Sequence, residues 1–309
     1  MLFVQTKADY MIVSASLSDA NVKRVISSEV RTGKPAWALH HDEFVYDSIR
    51  NGSPAIWMRG EGWDRPIVTG EAFPPGTTNA FSTPALSPGS DRVAYTRDDK
   101  DRQFQNWISS VTGGPPVRLT NEKDVVERGG SWSPDGSKIV YWHYRDGVAS
   151  LMVVNTTGEA TPVRLRQRIG TPLPEWSPDG LWIKFLDPAE GVGWSLISPD
   201  GKTVRSYGES KTGQMTFSAD SKKLYGIRVE PDRCILYSLD IATKEEKIIG
   251  DIAKDFTPAS YSNPGIRLSL SPDGKSILYA AIRRSSSLWM LEGFDQPGWL
   301  DRLRGIMAW

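Results

Sequence analysis

The chain has 309 residues, with 37 Lys plus Arg and 37 Asp plus Glu, so its formal net charge is zero. Without a basic surplus, neither nucleic acid nor an anionic membrane surface is a favoured partner of this chain alone. The sequence contains 12 Trp, 28 Gly and 21 Pro, and this composition favours many short strands separated by turns over long helices.

Three apolar stretches open the chain, at residues 2–6, 10–17 and 22–27. Their length and composition predict three consecutive strands. They match the second, third and fourth strands of a unit that repeats along the rest of the chain. Residues 1–30 are therefore predicted to form an incomplete unit that lacks a first strand.

A ten-residue segment then recurs along the chain. In its clearest form it is Trp132-Ser133-Pro134-Asp135-Gly136 followed by an apolar stretch that ends at Tyr141. A period of about 40 to 50 residues is typical of propellers and solenoids. The six copies begin at Trp37, Leu86, Trp132, Trp176, Phe217 and Leu270, which are separated by 49, 46, 44, 41 and 53 residues.

The letters of the segment predict a tight hairpin. Pro sets the backbone for the second position of a type I turn, Asp hydrogen-bonds the nearby backbone, and Gly accepts a left-handed conformation. A third and a fourth strand follow, as in residues 150–154 and 162–165. Another Ser-Pro-Asp-Gly, at residues 198–201, comes too soon after Ser177 to open a unit, so it predicts a turn between third and fourth strands.

Four-stranded sheets of this size cannot bury both faces alone, so the predicted fold class is all-β, a propeller of four-stranded antiparallel blades. Six repeats begin with a copy of the ten-residue segment. The N-terminal strands either complete the last unit or form a seventh blade, and the apolar residues 10–13 slightly favour seven. Residues 1–309 are predicted to be one propeller domain, with residues 295–309 as a C-terminal tail.

Two sets of repeated side chains are predicted to be structural. Arg50, Arg145 and Arg283 all lie four residues past the aromatic that ends the second strand, which predicts ion pairs or carbonyl caps within the blade. The aromatics that open the first strands are predicted to pack between neighbouring sheets, namely Trp37, Trp132, Trp176 and Phe217.

The Trp-Ser-Pro-Asp-Gly hairpin, the aromatic that ends the second strand and the segment Arg118-Leu119-Thr120 resemble the repeats of TolB and related WD-like propellers. This resemblance spans nearly the whole chain. The ending at residues 287–294 is similar to the last strand of TolB-like propellers at the C-termini of larger bacterial regulators. The resemblance implies the propeller fold and a place in a larger bacterial protein, and it indicates no particular ligand.

No targeting, metal or cofactor signal stands out. Residues 1–7 lack the pattern of a signal peptide, and no stretch approaches the roughly 20 apolar residues of a membrane helix. We expect no membrane insertion, with a cytoplasmic location as written or a periplasmic one within an exported parent. The single cysteine, Cys234, is predicted to be a buried, unreactive thiol.

The sequence contains residues for one catalytic alternative. The nucleophile pentapeptide Gly-x-Ser-x-Gly of propeller-containing hydrolases does not occur. His40 and His41 fall in a degenerate turn, where a solvated loop is favoured over a metal pair, and His143 lies near a strand end. Because some propellers cleave glycosides with paired carboxylates, a channel-mouth glycoside hydrolase or lyase using Glu175 or Asp99 is the alternative.

The leading hypothesis is a non-enzymatic propeller that presents its channel mouth to a protein or peptide. It would act as the sensing or scaffolding part of a larger bacterial protein, without a cofactor or metal. The mouth is expected on the face opposite the hairpins, where strand four joins strand one and strand two joins strand three. The binding residues predicted there are Lys34, Arg128, Glu175, Lys211 and Arg267.

Overall fold

The computed structural model describes residues 2–101, 103–122, 125–158, 161–170, 173–188, 193–209, 214–259 and 266–290. No helix in these ranges is long and apolar enough to cross a membrane. Short 3-10 helices lie at Gly70–Ala72 and Lys254–Phe256. The strands are β1 (Leu2–Ser16), β2 (Val22–Ser28), β3 (Thr32–Trp37), β4 (Phe44–Ser48), β5 (Ala55–Gly60), β6 (Trp63–Thr69), β7 (Thr78–Leu86), β8 (Arg92–Asp99), β9 (Phe104–Ser110), β10 (Val117–Arg118), β11 (Val126–Trp132), β12 (Lys138–Arg145), β13 (Val148–Asn155), β14 (Val163–Gln167), β15 (Glu175–Trp176), β16 (Ile183–Asp187), β17 (Gly193–Ile197), β18 (Val204–Glu209), β19 (Met215–Phe217), β20 (Lys223–Val229), β21 (Cys234–Asp240), β22 (Glu246–Ile252), β23 (Leu268–Leu270) and β24 (Ser276–Met290).

The described strands form six four-stranded antiparallel units arranged as a β-propeller, which confirms the predicted fold class. Units 1 to 5 take four consecutive strands each, from β3–β6 in unit 1 to β19–β22 in unit 5. Unit 6 contains β23 and β24 followed by β1 and β2. One parallel pairing, of Val126 with Phe104, joins units 2 and 3 into a larger sheet.

The ends of the described chain meet in unit 6. Strand β1 pairs with β24 along its whole length, from Leu2 opposite Met290 to Ser16 opposite Ser276. Residues 2–6 and 10–16 are therefore parts of a single strand, β1, and the described part of the ending at residues 287–294 is the end of β24. Pairing with β1 keeps the backbone of β24 extended as far as Met290.

This closure bears on the blade count. The N-terminal strands complete unit 6 in the described residues, so the slight preference for seven blades is not confirmed. The predicted tail at residues 295–309 lies outside the described residues.

The hairpins show the predicted turn chemistry. In unit 3 the N–H of Gly136, whose φ is +71°, donates to the Ser133 carbonyl at 2.9 Å. The Asp135 carboxylate accepts the Ser133 hydroxyl at 2.5 Å and the Ser137 N–H at 3.0 Å, and these bonds lower the pKa of Asp135 to about 2. The bond recurs between Ser177 and Asp179 (2.6 Å), Ser218 and Asp220 (2.7 Å), and Ser271 and Asp273 (2.6 Å).

The turn at residues 198–201 is also confirmed. It lies between β17 and β18, the third and fourth strands of unit 4, and its Gly201 N–H donates to the Ser198 carbonyl at 2.8 Å.

The first-strand aromatics pack between neighbouring sheets, as predicted. Trp132 contacts a cluster that includes Ile108 of unit 2 and Tyr141 of unit 3. Its indole N–H donates to the Ala85 carbonyl of unit 2 at 2.9 Å. Phe217 joins units 4 and 5 in the same way. Each sheet therefore buries both faces, because its neighbours cover them.

The repeated arginines form ion pairs. Arg50 lies 3.0 Å from the Asp64 carboxylate within unit 1, and Arg283 lies 2.9 Å from that of Asp9 within unit 6. Arg145 approaches Asp146 at 3.6 Å in its own unit and Glu122 at 3.4 Å in the connection that precedes the unit. The prediction of pairs within a blade is confirmed for all three arginines, and Arg145 has a further contact outside it.

Candidate functional site

A cavity of about 420 Å³ occupies the centre of the ring. Residues on or next to the first strand of each described unit line it. Its rim contains the second residue of four hairpins: Pro88, Pro134, Pro178 and Pro272. Because these prolines belong to the turns between first and second strands, the cavity opens toward the hairpin side of the ring, which we call the hairpin face. The sequence directed attention to the opposite face.

The walls of the cavity are aromatic. Trp37, Trp132, Trp176 and Phe217 line it while also packing between the sheets. Sequence reasoning explained these side chains through packing alone. In this fold the two roles coincide, since the inner edge of an aromatic held between two sheets reaches the channel.

A common backbone feature shapes the inner strands. Lys34, Thr83 and Gly129 each lie three residues before the residue that opens a repeat, and each has a positive φ, of +47°, +54° and +66°. The pairing register shifts at the same place in all three strands. Each is therefore a β-bulge, a feature that redirects side chains next to functional sites.

The same position in unit 6 carries Arg267, which lines the cavity. Its guanidinium donates to the carbonyl of Pro84 in unit 2 and, at 3.2 Å, to that of Gly130 in unit 3. The side chain therefore crosses the channel. Burial lowers the pKa of Arg267 to about 10, so the group is still charged at neutral pH.

Beside Arg267 lies a bonded ion pair. The Lys184 ammonium is 2.6 Å from the Glu175 carboxylate and also donates to the Met215 carbonyl. The other oxygen of Glu175 accepts the Thr216 hydroxyl at 2.7 Å. Burial lowers the pKa of Lys184, and Glu175 opposes that shift. Glu175, Lys184 and Arg267 together form what we call the floor cluster of the cavity.

A second charged group does not line the cavity. Lys34 is 2% exposed, and in the described part of the chain its Nζ has no hydrogen-bond partner. Burial lowers the pKa of Lys34 to about 8, a shift that Asp47 opposes and Arg128 and Arg267 reinforce. Burial also raises the pKa of Asp47 to about 7.

The five predicted binding residues have different outcomes. Glu175 and Arg267 meet in the floor cluster. Lys34 is buried away from the cavity lining, and Arg128 stacks its guanidinium 4.0 Å from the centre of the Phe104 ring. Lys211 lies outside the described residues. Whether any of them binds a partner stays a prediction.

Sequence reasoning missed Lys184 and Asp47. Lys184 stands between Ile183 and Phe185, where the matching second strands have Val140 and Leu278. A lysine replacing an apolar residue at a repeated position is a signal that could have marked it.

The remaining candidates are accounted for by local contacts. His40 is an exposed residue at the cavity rim, and His143 lies 3.3 Å from Glu122. Among the described residues, no three His, Cys, Asp or Glu side chains are grouped to hold a metal ion. Cys234 is buried, as predicted, and burial raises the pKa of its thiol to about 11.

Comparisons with known proteins decide the fold family. A putative TolB from Agrobacterium tumefaciens superposes with a TM-score of 0.69 and 18% identity, over 90% of this chain and 99% of that chain. The chain has the fold of TolB-like β-propellers. An oligogalacturonate lyase in complex with manganese superposes with a TM-score of 0.57 and 16% identity, over 88% of this chain and 76% of that chain. No protein-family model matches this TolB-like chain.

One curated relative is matched over less than a third of its own length. It is the uncharacterized peptidase YuxL of Bacillus subtilis (strain 168), which is 24% identical over 209 residues. The match covers 65% of the TolB-like chain and 29% of that relative.

Proposed function

We propose that this TolB-like propeller is a non-enzymatic binding module that takes a peptide segment of a protein partner into its cavity from the hairpin face. The observation that carries the proposal is the cavity itself. Apolar walls with a few convergent polar groups are typical of ligand sites, and the volume is within the usual range for them.

The chemistry of the walls favours a peptide. Trp132, Trp176 and Phe217 offer flat apolar surfaces to side chains. The polar groups are concentrated at the floor, where Arg267 and the pair of Lys184 with Glu175 can orient a polar end of the ligand. We propose that the module acts as the sensing or scaffolding part of a larger bacterial protein.

The alternative function is a glycoside hydrolase or lyase. The structural similarity to an oligogalacturonate lyase supports this alternative. Such chemistry commonly uses two carboxylates. Glu175 is the one carboxylate among the described residues that line the cavity. It is held by Lys184 and Thr216. Asp99 accepts the backbone N–H groups of Asp101 and Gln103 and does not line the cavity.

A blocking substitution tests the proposal. Ala219 is an exposed rim residue in the turn between β19 and β20. Ala219→Trp should fill the mouth and reduce the binding of peptides selected from a random display library at least about tenfold, since a ligand loses a buried surface worth more than ~1.4 kcal/mol. Isothermal titration of the purified protein with the selected peptides measures the loss.

Ala242→Trp is the matched control. Ala242 is exposed in another turn of the same unit, between β21 and β22, and does not line the cavity. Ala242→Trp should therefore leave the affinity for the selected peptides unchanged. Equal binding by both variants would move the site away from the hairpin face. Turnover of acidic oligosaccharides that is lost in Glu175→Gln would favour the enzymatic alternative instead.

A further inference from the structure

We propose that the floor of the cavity recognises a carboxylate, supplied by the free C-terminus of the bound peptide, through the guanidinium of Arg267. The inference deepens the proposed function and rests on it. It concerns the chemical class of the ligand group at the deepest point of the site.

The guanidinium of Arg267 has unused hydrogen-bond donors. A guanidinium has five N–H donors. In the described part of the chain its two hydrogen bonds go to the uncharged carbonyls of Pro84 and Gly130, and it forms no ion pair with a carboxylate. Donors therefore remain for a ligand, on a planar group that matches the two oxygens of a carboxylate.

The floor cluster carries a surplus positive charge. Glu175 is bonded to Lys184 at 2.6 Å, so this pair is balanced and Arg267 is left as the surplus cation. Lys34, 2% exposed, interacts with Asp47, which opposes the lowering of the Lys34 pKa, so these two groups add no surplus charge to the floor. Partial burial of the Arg267 cation without a bonded anion is unfavourable, and an anionic ligand offsets that cost.

The side chain of Arg267 also limits how far a ligand can enter the channel. Arg267 extends from unit 6 to carbonyls of units 2 and 3, so the cavity is closed across its floor. An extended peptide that enters from the hairpin face cannot continue past this side chain. A chain end fits such a closed pocket, and its terminal carboxylate would meet Arg267 while the preceding side chains contact Trp132 and Trp176.

The experiment compares two random-sequence peptide mixtures that differ only in the C-terminus, one free and one amidated. Each mixture is passed over the immobilised protein, and the retained peptides are quantified by mass spectrometry. The free mixture should be retained roughly ten- to a hundredfold better, the range expected for hydrogen bonds to a charged group. Arg267→Gln should abolish this preference, and Arg267→Lys should keep part of it.

Arg283→Gln is the matched control, because Arg283 forms an ion pair with Asp9 and does not line the cavity. It should retain the full preference. The comparison of free and amidated mixtures on the unchanged protein needs no variant to fold, so it decides the inference even if Arg267→Gln is unstable.

The outcomes separate the two proposals. Equal retention of both mixtures would overturn the carboxylate inference and leave peptide binding intact. Retention of neither mixture would overturn the proposed function. Peptides enriched in internal Asp or Glu in both mixtures would assign the acid to a side chain and overturn the C-terminal reading. A preference that survives in Arg267→Gln would overturn the role of Arg267.

Discussion

Two lysines of this propeller are equally buried, each with 2% exposure, and are stabilised in different ways. Lys184 donates to the Glu175 carboxylate and to the Met215 carbonyl. Lys34 has no hydrogen-bond partner in the described part of the chain and interacts with Asp47 through space. Burial lowers the pKa of both ammonium groups, so the difference between them lies in their bonding.

The comparison shows that equal burial does not imply an equal role. The bonded pair of Lys184 and Glu175 fixes one wall of the cavity. Removing Glu175 leaves the Lys184 ammonium buried without an anion to bond. Lys34 has Asp47 nearby but no hydrogen bond to an anion among the described residues, and it lies on a backbone whose φ is +47°. Removing it relieves a cost that removing Glu175 would create.

The largest expected effect is at the bonded pair. Glu175→Ala should lower the free energy of unfolding by about 3–5 kcal/mol, because it leaves the Lys184 ammonium buried without its anion. Urea denaturation at neutral pH measures the change. The double variant Glu175→Ala with Lys184→Met should recover at least half of the loss. A loss of less than about 1 kcal/mol would show that this pair behaves like an exposed one.

The second prediction concerns the pH dependence at Asp47. Its pKa is raised from 3.8 to about 7, so between these values the folded state holds a proton that the unfolded state has lost. Stability contributed by this group therefore falls as pH rises from about 4 to 7, with a slope approaching ~1 kcal/mol per pH unit. Asp47→Asn should remove that slope, as measured by urea denaturation at a series of pH values.

Glu127 provides the internal reference for this measurement. Burial raises its pKa to about 7 as well, and its contribution is present in both proteins, so only their difference reports on Asp47. For Lys34, whose pKa is lowered to about 8, the contribution to stability rises above that pH. Identical pH profiles for the two proteins would contradict the buried-pair description of Asp47.

The smallest effect is expected at the unbonded lysine. Lys34→Met should change the free energy of unfolding by less than about 1 kcal/mol, since it removes a desolvated charge that donates no hydrogen bond among the described residues, and Asp47, whose pKa is already raised to about 7, can take up a proton. Lys184→Met should cost about 2 kcal/mol, because hydrogen bonds to charged groups are lost. Thermal and urea denaturation of both variants test this contrast, and a larger loss at Lys34 would reverse it.

The parts of the fold that the sequence predicts are those specified by local chemistry. The Ser-Pro-Asp-Gly hairpins and the turn at residues 198–201 depend on only a few neighbouring residues, so the local sequence is sufficient to predict them. The long pairing of β1 with β24 joins residues more than 250 positions apart. Nothing local to Leu2 or Ser287 indicates that pairing, and the sequence wrongly predicted two separate strands where β1 is continuous.

The floor cluster illustrates the same limit for the site. Arg267 and Glu175 were found because they lie in loops and first strands expected near the channel. Lys184 was missed because alternation along a strand places a polar residue in solvent. That rule applies to a sheet with one covered face, whereas each propeller blade is covered on both faces by its neighbours, so the alternate residue is buried too.

The pairing of β1 with β24 also has a consequence during synthesis. Among the described strands, β1 is synthesised first and its partner β24 last. Until then one edge of a fifteen-residue strand is open to other strands, which is a hazard for aggregation. Folding of the propeller is therefore expected to be slow, because the β1–β24 pairing that closes the ring has the greatest sequence separation of any strand pairing among the described residues.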